Sequence, residues 1–507
     1  MTTHKKLRTI IAAMTAAGIL CTMPAGFAAE ATPTAAAQPA AQTATAAPAQ
    51  QTSKPFATVR MGKKWGAVAP SGNLVIPAEY DEIASYSADA VAVRQGKDWG
   101  IVRLDGTVIV PAIYKAIHPL AADTIIVQNT KDMYGAYDTA GKLLLPVEYR
   151  SVTPFYDGIS RVERKDKKFV FYRRDGSLLT SDAYLWASRF SEGLAVVEPT
   201  KNKMGYIDTN GSEAIPVQFE NAMIFQEGLA PVAVKKKWGF IDKSGTMVIQ
   251  PQFRAKSIGG FSDGLAMIKE KKHWAFIDKT GAKVIQTRYE DVDSFENGLA
   301  EVRREVKVGL LGGFLTSAVS FATGIPTFGI GTDLIGEKVK RGYIDKTGAE
   351  IISTKNDYNS FFMGGVALVR VKSKWGMVDR KGAYVVEPKY KGIHFFYDDL
   401  AAVQDGDKWG FVGRDGKIVI EPKYDEVHDF TDGIAAVQQG GKSFFIDKTG
   451  RVPFLLPNNI TDIGMFRDGF APVKIGDKWG FIDKTGTVVI PPAYAEVRTH
   501  QVTTDSL

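Results

Sequence analysis

Cysteine is almost absent from this sequence, since Cys21 is the only one among 507 residues. If the first 29 residues are removed, as argued below, the remaining chain has no thiol at all. That excludes disulfides, thiolate nucleophiles and cysteine-ligated metals. The fold must then be stabilised by packing alone.

A dense block of basic residues is also missing. The formal charge of +7 falls to about +4 without the three Lys and Arg residues of the first 29, and the excess is spread along the chain. Domains that bind nucleic acid gather Lys and Arg in one stripe or patch. The composition therefore predicts no nucleic-acid partner.

The motifs of known catalytic sites are absent as well. There is no His-Glu-x-x-His, no Gly-x-Ser-x-Gly and no phosphate loop, and the aspartates at turns lack the alternating spacing of a calcium loop. Adjacent acids such as Asp398 and Asp399 are typical of solvated turns rather than of a glycosidase pair. The six histidines are far apart: His4, His118, His273, His394, His428 and His500. We therefore predict a protein that is not an enzyme and that needs neither cofactor nor metal.

The first 29 residues have the layout of a secretory signal peptide. A basic start precedes an apolar run from Ile10 to Leu20, and small residues follow as far as Ala29. The run is too short to span a bilayer comfortably. We expect export, to the periplasm, the cell surface or the medium, with a lipid anchor at Cys21 as an alternative. Residues 30–54 are nearly all Ala, Thr, Gln and Pro, which is typical of a disordered linker.

The rest of the chain is dominated by a motif that recurs about every 35 residues. A Trp position anchors each of twelve copies, and a glycine stands seven residues after every anchor. Trp is kept in seven copies: Trp65, Trp99, Trp238, Trp274, Trp375, Trp409 and Trp479. The other anchors are Tyr134, Phe169, Met204, Arg341 and Ser443. The turn glycines are Gly72, Gly106, Gly141, Gly176, Gly211, Gly245, Gly281, Gly348, Gly382, Gly416, Gly450 and Gly486. A fixed period of this length predicts stacked copies of one supersecondary unit.

Each copy has the pattern of three antiparallel strands. The frequent Asp-Lys-Thr-Gly text predicts a type I turn with a bulge, because only Gly adopts the left-handed conformation cheaply. A β-branched run follows, and a proline such as Pro492 is expected to end it by removing a hydrogen-bond donor. An aromatic residue stands at offset fifteen from the anchor in ten copies, as at Tyr494. A second turn, Phe-x-acid-Gly-Leu-Ala, then opens the next strand.

Residues two and three after each anchor are both apolar, so both faces of a unit need cover from its neighbours. The Trp rings are the obvious filling between units. We predict an all-β tandem array of three-stranded meanders that forms an open solenoid, with one or two propeller-like closed arrays as the alternative. Units 1–7 occupy residues 55–303, units 8–12 occupy residues 339–498, and residues 499–507 form a tail.

Residues 304–338 interrupt the array with a glycine-rich insert, and residues 308–332 carry no charge. Three interpretations stay open: the insert folds back over the array, docks onto a partner or a second copy, or enters a membrane. The residues that would make a partner or membrane contact are Leu310, Leu311, Phe314, Leu315, Phe321 and Phe328.

The text Lys478-Trp479-Gly480-Phe481-Ile482-Asp483, with the Val-Ile-x-Pro-x-Tyr and Phe-x-Asp-Gly-Leu-Ala signals, closely resembles the bacterial WG-repeat family. The resemblance covers roughly residues 55–498 apart from the insert. It implies β-rich repeat arrays in bacterial proteins that are often exported or associated with the envelope, and it implies no known reaction.

The combined features predict an exported, non-enzymatic scaffold that mediates protein–protein interaction at the bacterial cell envelope, as a monomer or in an oligomer of unknown size. An array that binds glycan or peptidoglycan through stacked Tyr and Trp rings is the alternative. The solvent exposure of the offset-fifteen aromatics distinguishes the protein-binding from the glycan-binding interpretation, because buried rings could not stack on sugars. An enzyme with its chemistry in the insert is disfavoured, since residues 308–332 hold no ionisable group.

Overall fold

The computed structural model of the chain describes residues 57–305 and 339–499, and every regular element in these ranges is a β-strand. The predicted signal peptide and linker, nearly all of the insert with its six predicted contact residues, and most of the tail lie outside the described residues. The described residues belong to one compact unit.

The strands form twelve small antiparallel sheets, which we call blades 1–12 in chain order. Ten blades have four strands, named A to D from one edge of the sheet to the other, while blades 4 and 11 have only A, B and C. Blade 1 takes its A strand from the C-terminal end of the chain.

The strand bounds are as follows, for blades 1–12 in order. The A strands are β46 (Glu496–Thr499), β4 (Glu82–Ser87), β8 (Ala116–Ile117), β12 (Ser151–Val152), β15 (Trp186–Ala187), β19 (Asn221–Ala222), β23 (Ser257–Ser262), β27 (Asp291–Val292), β31 (Tyr358–Met363), β35 (Gly392–Ile393), β39 (Glu426–Val427) and β42 (Ile460–Ile463). The B strands are β1 (Ala57–Met61), β5 (Ala90–Gln95), β9 (Thr124–Gln128), β13 (Ile159–Glu163), β16 (Leu194–Thr200), β20 (Leu229–Val234), β24 (Leu265–Glu270), β28 (Leu299–Glu305), β32 (Val366–Val371), β36 (Leu400–Asp405), β40 (Ile434–Gln439) and β43 (Phe470–Ile475). The C strands are β2 (Lys64–Val68), β6 (Asp98–Arg103), β10 (Tyr134–Asp138), β14 (Phe169–Arg173), β17 (Lys203–Asp208), β21 (Lys237–Asp242), β25 (His273–Ile277), β29 (Val339–Asp345), β33 (Lys374–Asp379), β37 (Lys408–Gly413), β41 (Lys442–Asp447) and β44 (Lys478–Asp483). The D strands of the ten four-stranded blades are β3 (Leu74–Tyr80), β7 (Val108–Tyr114), β11 (Leu143–Tyr149), β18 (Glu213–Phe219), β22 (Met247–Phe253), β26 (Lys283–Gln286), β30 (Glu350–Ile352), β34 (Tyr384–Tyr390), β38 (Ile418–Tyr424) and β45 (Val488–Tyr494).

The prediction of three strands per unit was wrong, because ten of the twelve blades have four. The additional A strand follows the offset-fifteen aromatic and pairs with strand B, as β19 pairs with β20. It is often only two residues long, as at Asn221–Ala222. Two residues are too few to show the alternation of apolar and polar positions from which a strand is predicted.

The array closes on itself. Strand β1 pairs with its neighbour β2 and also with β46, the last strand of the chain, in the register Thr58↔Arg498 and Val59↔Val497. The Arg60 guanidinium forms an ion pair with Glu496 at 3.0 Å. The two ends of the described array are therefore joined in one sheet.

The apolar core has the same closed arrangement. A cluster of buried side chains lies between each pair of consecutive blades, which gives eleven clusters from blade 1 to blade 12. A twelfth cluster joins Phe481 and Ile490 of blade 12 to Ala57 and Val59 of blade 1. Twelve blades with twelve interfaces form a ring, so the open solenoid is wrong and the closed alternative, as one propeller-like ring, is what the structure has. An open array would leave an apolar face bare at each end.

The prolines do not end the strands, contrary to expectation. Pro492 lies inside β45 (Val488–Tyr494), and Pro77 lies inside β3 (Leu74–Tyr80). Strand D is the edge of its sheet, where a missing backbone donor costs little.

Candidate functional site

The seven Trp anchors lie on strand C and pack into the cluster between their own blade and the next. Trp65, Trp274 and Trp375 are buried, at 5%, 5% and 8% exposed. The other four are half-buried and contact the same kind of cluster: Trp99, Trp238, Trp409 and Trp479. These rings are occupied by packing and offer little surface to a ligand.

The offset-fifteen aromatics are buried too, with 1–8% exposure. They are Tyr80, Tyr114, Tyr149, Tyr184, Phe219, Phe253, Tyr289, Tyr390, Tyr424 and Tyr494. Rings that are inaccessible to solvent cannot stack on sugars. The repeated platform on which the glycan interpretation depended is therefore not available.

The twelve turn glycines lie in the turns that follow strand C, with φ between +73° and +90°. They also touch the preceding blade. A Cβ atom on Gly106 would lie 2.7 Å from the carbonyl oxygen of Val75, and one on Gly416 would lie 2.0 Å from that of Val385. The left-handed conformation favours glycine at all twelve positions, and at Gly106 and Gly416 the lack of space requires it as well, so these residues serve the fold.

Blades 9 and 10 carry a group of neighbouring aromatic side chains that are exposed or half-buried. Phe361 on strand β31 is 53% exposed and stacks on Phe395, with ring centroids 6.1 Å apart and 24° between the ring planes. Tyr397 is 38% exposed, while Phe362 and Phe396 are half-buried. We call these five residues the aromatic patch. The corresponding position in blades 5, 6 and 8 is held by Arg189, Ile224 and Ser294.

Two arginines from neighbouring C–D turns lie on the aromatic patch. The guanidinium carbon of Arg380 is 4.9 Å from the centroid of Phe362, and that of Arg414 is 5.0 Å from the centroid of Phe396. In an antiparallel meander the A–B and C–D turns lie at the same end of the sheet, which brings these turns together. Arg414 is also held by Asp399, with a distance of 2.6 Å from Nε to Oδ1.

The segment that carries Phe395 is anchored on the side of blade 11. His394 Nδ1 lies 2.8 Å from Asp429 Oδ1, and the His394 ring packs on Trp409 at 5.0 Å. The aromatic patch thus lies on blades 9 and 10, and Asp429 of blade 11 holds His394 beside it. It holds no nucleophile beside a base, but exposed aromatic rings with arginine are typical of protein interfaces.

Our sequence reasoning missed this patch. The available signal was a doublet, Phe361-Phe362 and Phe395-Phe396, where seven other copies have a single Phe before the acid-Gly turn. The apolar contact residues that it did name, Leu310 to Phe328, lie outside the described residues. Within the described ranges, no three His, Cys, Asp or Glu side chains are grouped so as to hold a metal ion. The described residues contain no helix that is long and apolar enough to cross a membrane.

The family profile described as "WG containing repeat" matches the chain eleven times. The matches cover residues 65–97, 99–130, 134–169, 204–238, 238–272, 274–305, 342–375, 375–409, 409–442, 444–479 and 479–499. The chain belongs to the WG-repeat family. The stretch between residues 169 and 204 is unmatched; it holds strand C of blade 4, which no D strand follows, and strands A and B of blade 5. No curated protein sequence matches the chain.

Several solved structures are similar to this WG-repeat chain. BamB from Moraxella catarrhalis is 10% identical, with 59% of this chain and 91% of that chain covered and a TM-score of 0.30. A eukaryotic initiation factor is 12% identical, with 88% and 97% covered and a TM-score of 0.33. The WD40 β-propeller domain of Doa1 is 12% identical, with 49% and 93% covered and a TM-score of 0.24. At such TM-scores these similarities support no inference about function.

Proposed function

We propose that this WG-repeat protein is an exported, non-enzymatic scaffold that binds a protein partner at the bacterial cell envelope, and that the aromatic patch holds the partner. The observation that carries the proposal is the exposed stack of Phe361 on Phe395. Export is supported by the signal-like layout of the first 29 residues.

The aromatic patch can supply binding energy because its rings are in contact with water and held in place. About 100 Å² of ring surface is exposed when half of a Phe side chain is accessible, and burying it contributes about 2.5 kcal/mol. Phe361 and Phe395 are already ordered by their mutual stacking and by the ring scaffold, so little conformational entropy is lost on binding. Arg380 and Arg414 add donors that an acidic residue of the partner would satisfy.

A partner screen with a matched variant tests the proposal. The full chain, a Phe361→Ser/Phe395→Ser variant and an Ile113→Ser control are used to capture cross-linked proteins from bacterial envelope extracts. Ile113 is 60% exposed but lies on strand β7, far along the chain from the aromatic patch. We expect one protein to be recovered equally by the full chain and the control, and at least tenfold less by the double variant.

Two outcomes would overturn the binding role. The first is equal recovery with the double variant whose circular dichroism spectrum matches that of the unaltered chain. The second is loss of capture after glycan digestion of the extract but not after proteolysis, which would favour the glycan alternative.

The proposed export of the protein is tested by a separate measurement. The chain is expressed in a bacterium, and the N-terminus of the recovered protein is determined by mass spectrometry. We expect cleavage after Ala28 or Ala29 and recovery outside the cytoplasm. An intact Met1 on cytoplasmic protein would contradict export.

A further inference from the structure

Blade 7 departs from its neighbour at the edge of the sheet. In blade 6, Gly239 follows the anchor Trp238, and strand β22 runs seven residues to Phe253. In blade 7, Ala275 takes the place of that glycine, and strand β26 is only Lys283–Gln286. Its register is Ala275↔Gln286 and Phe276↔Ile285, without the bulge that blade 6 has between these positions.

An open cavity of about 560 Å³ lies beside this shortened edge strand. Its polar lining comes from Arg254, Glu270, Lys271, His273, Lys283 and Gln286. The buried Trp274 and Thr287 form its inner wall, and the backbone nitrogen of Thr287 donates to the Trp274 carbonyl oxygen at 2.9 Å. The volume lies within the range of pockets that hold small organic ligands.

The charges around the cavity do not cancel. Lys283 forms an ion pair with Glu270, so these two compensate each other. Arg254 and Lys271 make no hydrogen bond or ion pair with any residue in the described ranges 57–305 and 339–499. Two cations without a counter-charge therefore face the cavity, with His273 and the Gln286 amide beside them.

We infer that this cavity binds a small organic anion through a phosphate or carboxylate group held by Arg254 and Lys271. The guanidinium of Arg254 presents a planar fork of donors that fits either group with two parallel hydrogen bonds, and Lys271 adds a point charge. Gln286 and the wall at Trp274 face the uncharged part of the ligand. The site is separate from the aromatic patch and does not depend on the proposed function.

Isothermal titration of the full chain with inorganic phosphate and, separately, with citrate tests the inference and distinguishes the two anion types. We expect saturable binding of at least one of them, and about tenfold weaker binding in Arg254→Gln and in Lys271→Gln, since one charge-assisted hydrogen bond contributes about 1.4 kcal/mol. Lys235→Gln is the matched control. Lys235 occupies the same position of blade 6, next to an intact edge strand.

Three results would overturn the inference: no saturable binding of either anion, unchanged affinity in both cavity variants, or an equal loss in Lys235→Gln, which would indicate only non-specific attraction to a basic surface. The Phe361→Ser/Phe395→Ser variant should bind the anion normally. Loss of anion binding in that variant would place the anion at the aromatic patch instead.

Discussion

A Cβ atom on Gly239 would lie 2.4 Å from the carbonyl oxygen of Ile249 and 2.8 Å from the backbone nitrogen of Pro251. Strand β22 crosses directly over this glycine, at the bulge where its register with strand β21 shifts. The glycine of the Trp-Gly step is therefore required by the close approach of two backbones. Nine copies keep it, and in each an added Cβ would lie within 3.0 Å of strand D or the residues after it: Gly66, Gly100, Gly135, Gly205, Gly239, Gly342, Gly376, Gly410 and Gly480.

The three copies without this glycine show the converse. Val170 and Phe444 stand in blades 4 and 11, which have no D strand, and Ala275 stands in blade 7, whose D strand has four residues and pairs without a shift from Ala275 to Phe276. In these three copies a residue with a side chain after the anchor therefore accompanies a missing or shortened D strand, whereas blade 8 keeps Gly342 beside a D strand of three residues.

Gly239→Ala should destabilise the ring by about 1–3 kcal/mol, because the new methyl group meets backbone atoms that cannot rotate away. The free energy of unfolding from denaturant titration measures this cost. We also expect faster amide exchange in strand β22 than in the unaltered protein, since the strand must move outward.

Gly228→Ala in the same blade is the control that separates collision from conformation. Gly228 has φ of +81°, but an added Cβ would meet no atom within 4 Å. Its cost should be about 1 kcal/mol of backbone strain, without an effect on exchange in β22. If Gly239→Ala costs no more than this control, the close approach is not what selects the glycine.

Ring closure predicts that the last strand stabilises the first blade. Deleting residues 496–507 removes β46 and with it the hydrogen bond from Thr58 Oγ1 to the Arg498 carbonyl oxygen at 3.3 Å. It also removes Arg498 from the Trp65 ring, whose centroid lies 4.1 Å away. We expect a lower melting temperature and faster amide exchange in β1 and β2, with β20 and β21 unchanged.

Deletion of residues 501–507 alone leaves β46 intact and should change neither measurement. Equal melting temperatures for the two truncated chains would contradict a stabilising role of closure.

The anchor tryptophans provide a third prediction. Trp375 is 8% exposed and meets Tyr358 edge-on at 5.4 Å in the cluster between blades 9 and 10. Trp375→Ala should cost about 3–5 kcal/mol, as is usual when a large buried ring is removed. Trp186 is 37% exposed and is not an anchor, so Trp186→Ala should cost much less. Similar denaturation midpoints for the two variants would show that the anchor is not an interface residue.

The sequence predicts the repeat and its turns well because they are local. The Asp-x-x-Gly turn closes within five residues, and its glycine is needed for conformational reasons that a single copy reveals. Closure could not be predicted in this way, since it joins Thr58 to Arg498 across most of the chain. Strand A is too short to leave a pattern. The aromatic patch and the blade 7 cavity are departures from the repeat. A periodic pattern identifies what the copies share, so it does not predict features that occur in only one or two copies.

The aspartates of the C–D turns predict how stability depends on pH. Asp483 Oδ1 accepts bonds from the Thr485 hydroxyl at 2.6 Å and from the backbone nitrogens of Thr485 and Thr487 at 2.9 and 3.1 Å. These bonds, first of all the one from the Thr485 hydroxyl, hold the pKa of Asp483 below its usual value. The pKa values of the equivalent carboxyl groups are lowered for the same reason at Asp242, Asp278, Asp345 and Asp447.

A carboxyl group whose pKa is lower in the folded state stabilises the fold above its unfolded-state pKa of about 3.9, and this contribution is lost as the pH falls through the folded-state value. Replacing all five aspartates with Asn should lower the denaturation midpoint at pH 7, because neutral acceptors bind more weakly than carboxylates. It should also make the decline below pH 4 shallower. A second variant keeps the carboxylates but replaces with Val the threonines whose hydroxyl groups donate to Asp278, Asp345, Asp447 and Asp483. In this variant the decline in the denaturation midpoint should begin at a higher pH. Parallel midpoint curves for the three proteins between pH 7 and pH 3 would show that these turns do not set the acid stability of the ring.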